Sequence, residues 1–233
     1  VKKIIFTKVN EQVSDTFAPK QMSKNLPEWY KSLYSYFGTD NKKVLDKNFD
    51  IPSSIKRCIP VLDVLSAGYL IPTYCDIWVR KSEDGKIYYK SAIPNAIEFH
   101  PTEQAPNHPY MNQHPYPKFI NSWSIETPKG YSCLFLPPVH GGNTFFQILE
   151  GFVDTDKYNN PVNFPFVLKD VNFEGLIPAG TPLAQVIPIK RDNWEMSFGN
   201  QNNIKNIVDH SNLIRSGFFD NYKKRFWSKK VYN

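Results

Sequence analysis

Two short stretches of this 233-residue chain carry the residue types that chemistry needs. One is Gly151-Phe152-Val153-Asp154-Thr155-Asp156-Lys157-Tyr158. It reads as a strand ending in two carboxylates and a tyrosine ring, so a candidate general base and a stacking surface meet where a strand turns. The other is Leu176-Ile177-Pro178-Ala179-Gly180-Thr181-Pro182-Leu183-Ala184-Gln185-Val186-Ile187, a Pro-Gly turn feeding an apolar strand. Its one polar interruption, Gln185, needs hydrogen-bond partners if buried. It is therefore either committed to the structure or aimed at a ligand. A third stretch, Val139-His140-Gly141-Gly142, combines an imidazole with a turn whose backbone amides can face an anion.

Other chemistries find less support. His100, His108 and His114 lie within fifteen residues, but each precedes a proline, and no spacing places two imidazoles on one helix face or strand face. No metal site is expected, and the segment reads as an ordered surface loop. Cys58, Cys75 and Cys133 are odd in number and lack a C-x-x-C pair, which suits buried thiols in a reducing compartment. There is no G-x-S-x-G, no P-loop and no dinucleotide fingerprint.

These segments must be held by a scaffold that the rest of the sequence outlines. Hydrophobic residues make up 41% and charged residues 21%, which excludes a disordered chain. Nineteen prolines exclude a long helical bundle. No run of eighteen apolar residues predicts a membrane span, and the N-terminus lacks a secretory pattern. The expected site of action is inside a cell.

From 55 to 190 the pattern is one of short strands punctuated by Pro and Gly: 61–64, 69–71, 73–80, 87–89, 123–126, 131–136, 145–153, 164–168 and 183–189. Asp84-Gly85 marks a hairpin turn. Residues 99–119, dense in proline, should be irregular. A helix beginning near Pro27 should carry Trp29, Leu33, Tyr36 and Phe37 on its buried side and stop at Gly38. A second helix should run over about 207–227, with a break near Gly217. The expectation is a mainly β (α+β) fold, one compact domain. Its parts would be an N-terminal strand and helix (1–54), a β core (55–191) and a polar loop with a C-terminal helix (192–233).

The net charge of +6 favours anionic surroundings without naming a partner. Five cations among the aromatics of 222–230 could contact phosphates. A solvated helix face explains that run better, so nucleic acid is not the expected partner.

Gly151 to Tyr158 resembles the G-x-x-D-x-D-Y segment of the dUTPase and dCTP deaminase superfamily, and Gly180 to Val186 resembles its G-x-x-x-A-Q segment. The resemblance implies a distorted antiparallel β-barrel or β-clip, often trimeric. It casts Asp154 as the carboxylate that activates water or contacts the sugar, Tyr158 as the ring stacked near the sugar and Gln185 as a polar group near the phosphates, with Asp156 a further ligand-binding candidate. The superfamily's arginine-serine segment has no counterpart between Pro137 and Gly151, where His140 stands instead. The stretches Leu26-Pro27-Glu28-Trp29-Tyr30-Lys31 and Ser66-Ala67-Gly68-Tyr69-Leu70-Ile71-Pro72 also resemble proteins of T4-like marine bacteriophages.

Together these resemblances imply a phage-encoded binding or assembly protein in the host cytoplasm or the virion, without cofactor and without catalysis. Its partner would be a nucleotide, a phage or host protein, or further copies of itself. One alternative is a nucleotide-processing enzyme that uses magnesium and replaces the missing arginine by His140 or Lys157. Another is a virion protein whose 99–119 loop contacts a partner.

Overall fold

A computed structural model describes residues 1–36, 53–104, 116–215 and 221–233. The strands, in chain order, are β1 (Ile5–Lys8), β2 (Lys20–Gln21), β3 (Tyr69–Pro72), β4 (Ile77–Lys81), β5 (Ile87–Ser91), β6 (Ile97–His100), β7 (Tyr116–Phe119), β8 (Trp123–Glu126), β9 (Tyr131–Leu136), β10 (Phe146–Ile148), β11 (Gly151–Val153), β12 (Phe164–Leu168), β13 (Gly175–Ile177) and β14 (Pro182–Lys190). The α-helices are α1 (Glu28–Ser32), α2 (Ile59–Ser66), α3 (Gln201–Arg215) and α4 (Asn221–Arg225).

The strands form four antiparallel sheets, ordered β1-β8, β10-β12-β7-β6, β11-β9-β14-β3-β2 and β13-β4-β5. Among the described residues each sheet is open, none closing on itself. The expected barrel or β-clip is therefore wrong, and the dUTPase-like scaffold falls with it: the fold is mixed, helices with several open sheets. The reason is visible at Leu149-Glu150. The apolar run 145–153 is not one strand. It breaks there, sending β10 to pair with β12 and β11 to pair with β9, in different sheets.

Two compact units divide the chain. The first comprises Val1–Lys31, Val64–Arg191 and Tyr232–Asn233 and holds the fourteen strands found among the described residues. Its core joins the sheets through Ile71, Ile77, Val79, Phe119, Phe135, Phe146, Phe164, Phe166 and Leu183. Phe135 meets Phe164 at 5.8 Å between ring centroids, and Phe146 meets Phe166 at 5.5 Å, within the range that favours tilted aromatic pairs. Leu183, Ala184, Gln185 and Val186 in β14 are all buried, as befits a strand covered on both faces.

The second unit comprises Ser32–Asp63 and Asp192–Val231 and carries α3 and α4. Within it, Asp63 accepts hydrogen bonds from Trp227 Nε1 at 2.9 Å and Lys230 Nζ at 2.6 Å.

Several local expectations also need correction. The run 61–64 lies in helix α2, not a strand; short apolar runs are ambiguous between the two, and Pro60 fits a first helical turn. The N-terminal helix is a single turn, α1, and it buries Tyr30 rather than Trp29, whose Nε1 instead donates to the His140 carbonyl at 3.0 Å. The ends of the 99–119 segment are strands. Pro117 is tolerated in β7 because it pairs with β6 alone; pairing with β12 begins at Lys118. Residues 105–115, with His108 and His114, lie outside the described residues. Of the three thiols, Cys75 and Cys133 are buried but Cys58 is exposed.

Candidate functional site

Strand β9 is the axis of the candidate site. It pairs on one side with β11, with Val153 opposite Cys133, and on the other with β14, with Lys190 opposite Tyr131. Both partners leave the sheet at the same end of β9. Asp154, Thr155 and Asp156 follow from β11, and Arg191 follows from β14. The Arg191 amide donates to the Gly130 carbonyl at 2.8 Å, which extends the ladder by one step.

Alternation along the chain then sorts the side chains. Thr155 turns inward, fully buried, its hydroxyl 2.7 Å from that of Thr127 and 3.4 Å from the Cys133 sulfur. Asp154 and Asp156 turn toward Arg191. Arg191 Nη1 donates to Asp156 Oδ1 at 2.8 Å, and Nη2 donates to Asp156 Oδ2, a bidentate pair. Nη1 also reaches the Tyr131 carbonyl and the Ser132 hydroxyl, each at 3.0 Å, and lies 3.1 Å from Asp154 Oδ1. The Asp156 carboxylate is only 3% exposed and takes a further bond from the Gly130 amide at 2.8 Å. Asp154, half exposed, accepts from Ser132 Oγ at 2.7 Å.

This surrounding fixes the protonation of both acids. Arg191, then the Gly130 amide, hold the Asp156 carboxyl down to about 2. The Ser132 hydroxyl, with the nearby charges of Arg191 and Lys157, lowers that of Asp154. Both are carboxylates with little proton affinity near neutral pH, the reverse of what general-base catalysis selects.

The other sequence candidates do not join this cluster as a pocket. Tyr158 closes the turn, donating its amide to the Asp154 carbonyl at 2.9 Å, with its ring exposed. Gln185 lies opposite Leu136, four residues along β9 from Ser132, or about 13 Å at strand rise. It is completely buried. Its Nε2 donates to the Val64 carbonyl at 2.9 Å and the Ala67 carbonyl at 2.8 Å, and its Oε1 accepts from the Val139 amide at 3.1 Å. Those bonds cross-link α2, β14 and the loop after β9.

His140 sits in that loop, exposed, with φ of 56°. It borders a separate cavity of about 340 Å³ walled also by Gly141, Gly142, Gln147, Glu150 and Lys169.

Arg191 was not legible as part of this site, because no local motif links it to Asp154. The signal that could have found it is the ladder: continuing β14 past Lys190 places the next residue beside Gly130. Among the described residues no three His, Cys, Asp or Glu side chains gather to hold a metal ion, and no helix is long and apolar enough to cross a membrane. No protein-family model matches the chain, and no curated protein matches its sequence, so neither the dUTPase-like nor the phage resemblance gains support.

Proposed function

We propose that this chain is a binding and assembly protein, without catalysis at Asp154, that associates with a second copy of itself through its C-terminal unit. The observation that carries this reading is a run of large apolar side chains left in water. Trp194, Met196 and Phe198 alternate in the segment before helix α3, which has no regular structure, and are 91%, 83% and 90% exposed. Helix α3 follows. Successive helical residues turn by about 100°, so Ile204, Ile207, Val208, Ser211 and Ile214 share one side, while Lys205, Asp209 and Asn212 occupy the other. The four aliphatic members of that stripe are each at least 43% exposed. An exposed apolar stripe of this kind marks an interaction surface.

The stripe's own chemistry selects its occupant. It carries no charge, and it has small Ser211 among its aliphatic knobs. The surface matching it in period, shape and neutrality is a second α3, packed about a two-fold axis. The carboxylate cluster supports the same reading from the other unit. Its hydrogen-bonding capacity is engaged with Arg191, Ser132 and Gly130 rather than directed at a substrate.

Sedimentation equilibrium tests the proposal. The intact chain should show a concentration-dependent mass rising to twice 27.0 kDa, and Ile207→Lys should hold it at one chain. A monomer at all concentrations up to about 100 μM, well above the micromolar range of ordinary specific complexes, would overturn association. Turnover of deoxynucleoside triphosphates with magnesium, lost in Asp154→Ala, would overturn the non-catalytic part.

A further inference from the structure

The three-stranded sheet β13-β4-β5 presents a second surface, in the other unit and independent of the association proposed above. In β4, Ile77 and Val79 are buried, so Trp78 and Arg80 face outward. In β5, Tyr88 and Lys90 are the outward, exposed residues. The register sets Trp78 opposite Lys90 and Arg80 opposite Tyr88. The outer face is thus a checkerboard, with two aromatic rings on one diagonal and two cations on the other. Diagonal neighbours of this kind stand about 7–8 Å apart. Trp78 is 42% and Tyr88 56% exposed, and the four side chains line one hollow together with Tyr89.

Both cations are uncommitted: no described residue forms an ion pair with Arg80 or Lys90. Two acids flanking this hairpin are engaged elsewhere. Asp84 is held by Lys86 at the hairpin tip, and Glu174 accepts from the Lys81 amide.

From this face we infer a binding site for single-stranded nucleic acid, in which Trp78 and Tyr88 stack on two bases while Arg80 and Lys90 contact the flanking phosphates. The chemistry of this face favours such a ligand over a protein partner. The two exposed rings, with Leu176 of β13 beside Trp78, offer flat faces to bases, which every nucleotide has, and unpaired cations interleaved with rings suit a backbone carrying one charge per base. A duplex hides its bases and cannot use the rings. The sequence alone does not show this face, because the checkerboard arises only when β4 and β5 are in register.

The test is fluorescence anisotropy of a labelled twelve-residue oligothymidylate titrated with the intact chain at about 50 mM salt. Binding should be saturable. Trp78→Ala and Tyr88→Ser should each weaken it about tenfold or more, whereas Trp78→Phe should restore most of it. Replacing Arg80 and Lys90 by Gln should reduce the slope of log affinity against log salt by about 1.4, or about 0.7 for each phosphate no longer neutralised. All four side chains lie at the surface, so unchanged melting temperatures should accompany these weakened affinities. The inference is overturned if no binding occurs at low salt, or if Trp78→Ala binds as well as the wild type. It is equally overturned if polyglutamate competes on equal terms, or if neutralising Lys223, Lys224 and Arg225 alone abolishes binding.

Discussion

Asp156 shows how one carboxylate can look catalytic and be structural. Its folded value of about 2 lies below the ordinary carboxylate range near 3.9. A depressed acid stabilises the fold above its unfolded value, and that contribution disappears as pH falls through the folded one. Stability should therefore decline between about pH 4 and pH 2 on account of this group. Arg191→Met should move the acid-unfolding midpoint upward; a midpoint that does not move in acid titration followed by circular dichroism would refute the clamp. Gln185 makes a sharper case. Gln185→Leu leaves the buried Ala67 carbonyl and the Val139 amide without this partner and the Val64 carbonyl with only the Ala67 amide at 3.4 Å, at a cost of about 3 kcal/mol. In a chain of this size that lowers the melting temperature by about 6–12 °C. The sequence disclosed that a buried amide must have partners, since desolvation demands it. It could not disclose whether those partners belonged to the protein, because Val64, Ala67 and Val139 are distant along the chain.

The elements that read clearly were those whose signals are local. Asp84-Gly85 does turn β4 into β5, with Gly85 at φ of 84°, and β9, β12 and β14 fall where β-branched and aromatic runs placed them. Elements set by their neighbours did not read clearly. Nothing in Ile59–Ser66 distinguishes a short helix from a buried strand until Gln185 caps its last carbonyls, and β6 and β7 needed each other to overcome the prolines around them. The two turn glycines illustrate the contrast energetically. At Gly85 a Cβ meets nothing within 4 Å, so Gly85→Ala carries only the left-handed backbone cost of about 1–2 kcal/mol. At Gly68, with φ of 70°, a Cβ would stand 1.9 Å from the Val186 carbonyl oxygen. Gly68→Ala must push α2 and β3 off β14 and should cost more than about 3 kcal/mol. Chemical denaturation of the two variants checks this; equal destabilisation would show that the packing of Gly68 on β14 is not rigid.

Across the whole molecule, the prolines argued against a long helical bundle, and the described residues are rich in strands, but composition could not settle how those strands close. Closure depends on which strands pair, and pairing here joins β1 to β8 and β3 to β14, partners separated by more than a hundred residues. The apolar surface of 194–214 was equally hidden, because a helical stripe normally reads as a core face; only the fold shows it in water. That surface is the basis of the assembly proposal, and cysteine trapping examines it most directly. Cys58 is exposed and must first be replaced by Ser; Cys75 and Cys133 are buried. In that background the account predicts that Ile207→Cys forms an interchain disulfide under mild oxidation, giving a species of twice 27.0 kDa, while Asp209→Cys on the opposite side of α3 stays a single chain. A single chain in both variants, or equal cross-linking in both, would contradict it.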